Sequence, residues 1–405
     1  MSRLTPKKTI ILDSISCSTV KKEHPWIFSK RIESKTRDLK SGDLVILLDM
    51  EGNRLGTGIF SGIDELIAIR IIEFGSDFSL ERLYKKLISA IEKRLPLLVY
   101  TDSFRLIHGE NDFFPGINVD YHAGNLILRY YSKSLYLFSR MILRAIWEIV
   151  WNNSEWKLRI ENAYIQTPNR TGKSIINKDK DLRLVRGKRS EYIKIKYRNI
   201  SYQIKPELQK GGIYNDIRNL RDYLWLHKNY VYDKRVLNLF SNNGLLSKCL
   251  INLGANSVVS LEDSRECIEV HKVNSKNDTK EIILKKNIFI EFQEFVDSTE
   301  KNYNLIIIDP PSLTSTSKEK PQAIKIYKKL IKLSLKILEK DGILILCSCS
   351  NRIHSNEFES ISKNAFLESE SKMKRLDKLS PELDHPEIKQ FPEGQYFKVH
   401  IYKKL

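Results

Sequence analysis

Hydrophobic and polar positions follow three rhythms along the 405 residues. Over about the first 75 positions, apolar residues come in short runs at 10–12, 44–48 and 65–71. The groups Ser41-Gly42-Asp43, Glu51-Gly52-Asn53 and Gly56-Thr57-Gly58 separate them, which predicts an all-β segment. From Leu80 the spacing changes to three and four, through Leu83, Tyr84, Leu87, Ile88 and Ile91, so an amphipathic helix is expected up to Pro96. Turn residues Gly109, Pro115 and Gly116 follow, then a strand over 126–131 and a helix over 134–151. Between Asn153 and Ser190 the pattern weakens, and 167–173 has loop composition without the glycine spacing of a phosphate loop. Alternation at 192–197 and 200–204 predicts a hairpin. Beyond it, continuous apolar runs at 236–240, 257–261, 304–308 and 342–346 are separated by helical stretches. That is the pattern of parallel strands buried on both faces.

The polar residues that end these runs carry the candidate chemistry. The run 236–240 meets Ser241-Asn242-Asn243-Gly244, then a helix over 245–253 and a strand closing on Glu262-Asp263. In such a βαβ unit Gly244 lets the backbone approach a ligand, and Glu262 can accept both hydroxyls of a ribose. A pyrophosphate loop wants about three glycines where this turn has one, which disfavours a dinucleotide. The strand 304–308 stops at Asp309-Pro310-Pro311, because proline removes a ladder donor. The strand 342–346 runs into Cys347-Ser348-Cys349-Ser350. If the two strands share a sheet, a carboxylate and a thiol end at one rim, where ligands of open α/β sheets bind. Otherwise Asp309 caps a loop and Cys349 is a small buried hydrophobe. Cys347 and Cys349 are expected to face opposite ways at the strand end.

Charge adds a partner class. Lys and Arg outnumber Asp and Glu by 68 to 50, a net +18 that favours polyanions. Lys21, Lys22, Trp26 and Arg31 interleave bases with aromatics, a mix that can pair phosphates and stack on nucleobases. Five cysteines without metal-type spacing argue against a disulfide framework or a metal site and for a reducing, cytoplasmic setting. No apolar run is long enough for a membrane span.

Several motifs carry a resemblance. His24-Pro25-Trp26-Ile27-Phe28 with the glycine-rich hairpins resembles the small PUA barrel of RNA-modifying enzymes. The stretch 105–120 resembles the linker domain of one group of ribosomal RNA methyltransferases, and Asp384-His385-Pro386-Glu387 and 391–398 match its tail. Gln209-Lys210-Gly211-Gly212 with Asp216 and Arg218 is similar to that group's Gln-Lys-Thr-Gly and Asp-x-Arg motifs, with Gly211 replacing the threonine. The βαβ unit joined to Asp-Pro-Pro resembles class I methyltransferases. Almost the whole chain is thus similar to the PUA-containing 23S rRNA cytosine-C5 methyltransferases.

The resemblance implies an α/β fold in three parts. These are a PUA-like RNA-binding barrel (1–75), a central α+β linker domain (76–190) and a Rossmann-like methyltransferase domain with a mixed seven-stranded sheet (191–405). It implies S-adenosyl-L-methionine as cofactor, held by Lys210, Asp216, Arg218, Phe240, Gly244, Glu262, Asn287 and Asp309. Asn287 stands where the family usually has an aspartate receiving the adenine amino group, and its carbonyl can still accept. The implied catalytic pair is Cys349, the nucleophile, and Asp309, which holds the cytosine edge. Ser312 occupies the place of a second, product-releasing cysteine, so release must use another base or water. The implied partner is ribosomal RNA, 23S, free or in a large-subunit precursor; a homodimer is an expectation from the family. Two alternatives stay open. One is methylation of guanine N7 or an exocyclic amine, since Asp-Pro-Pro occurs there too. The other is a non-catalytic RNA-binding assembly factor.

Overall fold

The computed structural model describes residues 8–32, 38–166, 182–208, 212–276, 278–300, 302–314 and 316–405. The chain divides into two compact units: residues 1–196 with 383–394, and residues 197–382 with 395–405.

The first unit opens with β1 (Lys8–Ile11), α1 (Ser14–Lys21), β2 (Trp26–Phe28), β3 (Leu44–Leu48), β4 (Arg54–Phe60) and β5 (Ile67–Phe74). Its five strands form a sheet in the order β1-β3-β4-β5-β2. Helix α1 departs from the all-β expectation. Asp13 caps it by accepting from the Ser16 N–H, and Cys17 and Val20 turn into the core. Next come α2 (Leu80–Glu92), β6 (Ser103–His108), β7 (Ile117–His122), β8 (Asn125–Tyr130), α3 (Tyr136–Asn152), β9 (Asn162–Gln166) and β10 (Leu182–Arg186). Their sheet runs β10-β9-β8-β7-β6. The stripe Leu83, Leu87, Ala90 and Ile91 of α2 is buried with Ile142 and Ile146 of α3 against it, as the three- and four-residue spacing requires. Strands β9 and β10 lie where the periodicity weakens.

The chain then forms β11 (Ile193–Tyr197) and β12 (Ile200–Ile204), joined by a turn that holds Arg198 at φ 52°. In the second unit follow α4 (Arg218–Leu226), β13 (Arg235–Leu239), α5 (Leu245–Asn252), β14 (Ser257–Glu262), α6 (Arg265–Asn274), β15 (Glu281–Lys285), α7 (Ile288–Ser298), β16 (Tyr303–Ile308), α8 (Lys320–Lys336), β17 (Leu338–Ser348), α9 (Ser355–Glu368), β18 (Met373–Leu379) and β19 (Lys398–Lys404). The seven-stranded sheet is ordered β15-β14-β13-β16-β17-β19-β18, and β19 runs antiparallel to both neighbours. Its central strands are apolar on both faces because both are covered. Ile306, Ile308, Leu344 and Leu346 share a core with α8 and α9, while Leu305, Ile307, Ile343 and Ile345 share another with α4 and α5. Among the described residues no helix is long and apolar enough to cross a membrane.

Candidate active site

The order of the sheet reverses between β13 and β16. The chain steps outward through β14 and β15, then returns to β16. The carboxyl ends of β13 and β16 therefore splay around a crevice, the usual ligand position in open α/β sheets. A narrow cleft lies there, lined by Tyr214, Arg221, Phe240, Asn242, Asn243 and Asp309 among others. The loop after β13 is tightly wound: Phe240, Asn242 and Gly244 all have positive φ, at 60°, 51° and 85°. Left-handed backbone at two non-glycine residues is costly and persists where the surroundings impose it. Here Glu262 at the end of β14 accepts from the Asn242 N–H at 2.8 Å, and from the N–H groups of Asp263 and Ser264 at 3.0 and 2.9 Å. A carboxylate has about four lone-pair sites, so these bonds leave Glu262 room for roughly one more donor. That is less than the two hydroxyls expected from sequence.

Gly244 is required for a reason the sequence did not carry. A Cβ there would stand 1.9 Å from Cδ2 and 2.2 Å from Nε2 of His271. The fully buried His271 lies on α6 and is held by Glu281 at 2.7 Å. Glu281 also accepts from Ser260, which bonds Ser247, which receives Asn238 at the cleft floor. Burial would raise the Glu281 carboxyl, yet the His271 contact and the serine hydroxyls hold it below its ordinary value. Asn287 precedes α7. Its Nδ2 donates to Asp263 at 3.2 Å, and its Oδ1 is buried without a hydrogen-bond partner.

Asp309 and Cys349 end neighbouring strands. In the parallel ladder of β16 and β17, Ile308 pairs with Leu346, so Asp309 and Cys349 follow at one rim. Burial drives the hydroxyls of Tyr214 and Tyr327 far above the ordinary value, and Asp309 and Cys349 both lie within electrostatic reach of the two tyrosines. Residues two apart on one strand share a face. Cys347 and Cys349 differ instead because β17 ends at Ser348, between them. Cys347 is buried and its thiol is pushed well up by burial and by Asp309, whereas Cys349 is half-buried beyond the strand. Ser348 and Ser350 flank it. Ser348 Oγ accepts from Tyr327 at 2.9 Å, and Ser350 Oγ accepts from the Leu313 N–H at 3.3 Å.

Other expected residues have intrachain partners. Asp216 accepts from the Tyr396 hydroxyl at 2.9 Å, and the fully buried Arg218 donates to Glu382 at 3.1 Å. Both thereby fasten α4 to the end of the chain. Lys210, with Gln209 and Gly211, lies outside the described residues. In the first unit Lys21, Lys22 and Arg31 are exposed. The Trp26 indole is engaged instead: Nε1 donates to Glu110 at 2.8 Å, and Phe391 packs edge-on at 4.6 Å. His108 is buried beside His385, and burial drives its imidazole well down, consistent with a structural place. Sequence reasoning missed Tyr214, Arg221 and His271. Tyr214 lies inside the Gln209–Arg218 motif and Arg221 one helical turn beyond it, but nothing in the periodicity marks His271.

Comparison with known proteins agrees with this geometry. A PUA-like domain model matches residues 10–74, and a model described as S-adenosylmethionine-dependent methyltransferase matches residues 183–385. "Ribosomal RNA large subunit methyltransferase I" of Tolumonas auensis is 25% identical over 98% of this chain and 99% of its own length. The protein of the same name from Alteromonas mediterranea is 26% identical, over 96% and 97% respectively. The crystal structure of SMU.776 complexed with SAH shares the fold at TM-score 0.80 and 21% identity, covering 98% of this chain and all of that one. The donor set suits S-adenosylmethionine. A carboxylate closes the second strand, a buried acceptor stands free on Asn287, and a single-glycine loop suffices for a ligand without phosphate. The methyltransferase model spans half of the chain, and the seven-stranded sheet with its antiparallel β19 is the sheet of that fold, so the chain belongs to the S-adenosylmethionine-dependent methyltransferase family.

Proposed function

We propose that this protein methylates C5 of a cytosine in large-subunit ribosomal RNA, 23S, with Cys349 as covalent nucleophile and Asp309 as the group that holds the base. The RNA assignment draws on the names of its relatives, on the PUA-like domain and on the net charge of +18. The observation that carries the chemistry is the β16–β17 register, which ends with a carboxylate that lines the cleft and a half-buried thiol at the neighbouring strand end.

S-adenosylmethionine supplies an electrophilic methyl group. The cofactor would be held by Glu262 on one ribose hydroxyl, by Asn287 Oδ1 on the adenine amino group, and by the loop from Phe240 to Gly244. Lys210 would contact the cofactor as part of its binding motif, and Asp216 and Arg218 would serve the site by fixing α4. Cytosine C5 becomes nucleophilic only when C6 carries an added nucleophile. Cys349 Sγ, as thiolate, bonds C6 and pushes the ring electrons toward C5. Asp309 takes the N3/N4 edge and stabilises the protonated ring as charge shifts there. After transfer a base removes the C5 proton, the Sγ–C6 bond breaks, and the thiolate returns. Ser312 donates to the Thr314 carbonyl at 3.3 Å, so its hydroxyl is already committed within the loop. Lys21, Lys22 and Arg31 remain available to RNA phosphates, with Trp26 shaping the surface rather than stacking freely.

Bisulfite sequencing of 23S rRNA from cells with and without the gene tests the base. One cytosine is expected to lose its resistance to conversion when the gene is absent; an unchanged profile at every cytosine contradicts C5. The Cys349→Ala protein is expected to keep cofactor and RNA binding and lose methyl transfer. Full transfer by that variant would favour the amine or N7 reading.

A further inference from the structure

We propose that Tyr327 is a positioning residue for methyl transfer: its hydroxyl fixes the turn that carries Cys349 to the loop that follows Asp309. The inference rests on the reading of Cys349 as the nucleophile. Tyr327 belongs to the buried stripe of α8, with Ala323, Leu330 and Ile331. Its ring packs edge-on against Phe358 at 5.1 Å, in the core that α8 and α9 share with β16 and β17. Phenylalanine would make the same packing, so packing alone does not account for a hydroxyl there. A buried phenol needs a partner. Here the partner is Ser348 Oγ, 2.9 Å away on the last residue of β17.

That oxygen has a second task. It accepts from the Ser350 N–H at 3.4 Å and so closes a turn across Cys349. The Ser350 hydroxyl in turn accepts from the Leu313 N–H at 3.3 Å, in the loop after Asp309. Ser348 and Ser350 are both fully buried, so water does not compete for these bonds. The phenol, the two serines and Leu313 thus form one line of hydrogen bonds. It fastens the backbone on both sides of Cys349 and ties it to the loop that leaves Asp309. Burial pushes the Tyr327 hydroxyl well above its ordinary value, so it stays protonated and takes no part in proton transfer. Its part is geometric. Attack on C6 and methyl transfer to C5 need the sulfur and the carboxylate in fixed relation across one ring, and an error of about 1 Å costs up to roughly a hundredfold in rate.

The test is Tyr327→Phe in the full chain, which deletes one oxygen and keeps the ring. Hydrogen exchange read by mass spectrometry should rise in peptides over 310–314 and 348–352, and not in the cofactor loop 240–244. Affinities for SAH and RNA should stay within about twofold of wild type, while kcat falls by roughly tenfold to a hundredfold with KM for RNA unchanged. Ser348→Ala should lower kcat similarly, and the double variant should be little worse than either, since both changes cut one link. A kcat at the wild-type value, or exchange unchanged in both peptides, overturns the proposal. So does a loss of kcat matched by an equal loss of SAH affinity, which a merely structural tyrosine would give. If Tyr327→Phe does not fold, Ser350→Ala, which cuts the link to Leu313, is read by the same criteria. Faster exchange and slower transfer without any C5 mark on RNA would sink the base assignment while leaving the role of Tyr327 intact.

Discussion

Arg94 and Asp112 illustrate how single residues commit the first unit to its fold. The fully buried guanidinium meets the carboxylate at 3.0 and 2.5 Å, and Asp112 also accepts from the His108 N–H at 2.7 Å. Removing the cation would leave a buried carboxylate without its partner, so Arg94→Met is expected to cost about 3–5 kcal/mol in urea unfolding. Nearby, Asp120 lies between Arg105 and Arg129. Burial alone would raise its carboxyl, but the two guanidiniums prevail and bring it to about 2. A carboxylate held below its unfolded value contributes stability above that value and loses it as pH falls toward 2. His122 acts earlier. Burial pulls its imidazole from 6.5 down to about 4, so the unfolded chain takes up the proton first and stability falls as pH drops through that window. The urea midpoint is expected to decline in two steps on acidification, and His122→Asn should shrink the first without abolishing it, because burial also holds the His108 and His400 imidazoles down; a midpoint constant from pH 6.5 to 4 contradicts this. None of these pairs was legible in the sequence, because Arg94, Asp112 and Asp120 carry no local signal of being buried.

Among the elements, the loop joining β13 to α5 depends on its underside. The close approach of Gly244 to His271 predicts a specific rescue. Gly244→Ala should weaken SAH binding sharply, since the new methyl meets the imidazole at 1.9 Å. Adding His271→Ala should recover part of the affinity in calorimetry, with the rest withheld by about 1–2 kcal/mol of left-handed strain. A double variant no better than the single one would show that the glycine serves the ligand directly. Elements with strong patterns were legible: β13, β14, β16 and β17 are apolar on both faces, and α2 shows its stripe. Others were not. Helix α1 is serine-rich and depends on the Asp13 cap, while β9 and β10 flank a stretch of weak periodicity. The candidate site was legible at strand ends, where Glu262, Asp309 and Cys349 interrupt apolar runs. It was illegible where its support comes from another element, as with His271 behind Gly244.

On the scale of the whole molecule, residues 383–394 belong with the first unit although β18 and β19, which flank them, lie in the second. Asp384 accepts from the Arg105 N–H at 2.8 Å, a contact between residues 279 positions apart that no periodicity could announce. The net charge of +18 is legible from composition and has its own consequence. RNA affinity should fall log-linearly with salt, by about 0.7 per neutralised phosphate on a single strand, and a salt-independent affinity would argue against a phosphate-tracking surface. The central claim is that a sulfur of this chain bonds the target pyrimidine. RNA transcribed with 5-fluorocytosine tests it most directly, because fluorine at C5 cannot leave as a proton and the adduct is trapped. Incubated with S-adenosylmethionine, the protein is expected to form a covalent RNA complex whose peptide map shows the nucleotide on Cys349. No complex on such RNA, together with a methyl group at another base position on natural RNA, would contradict the account.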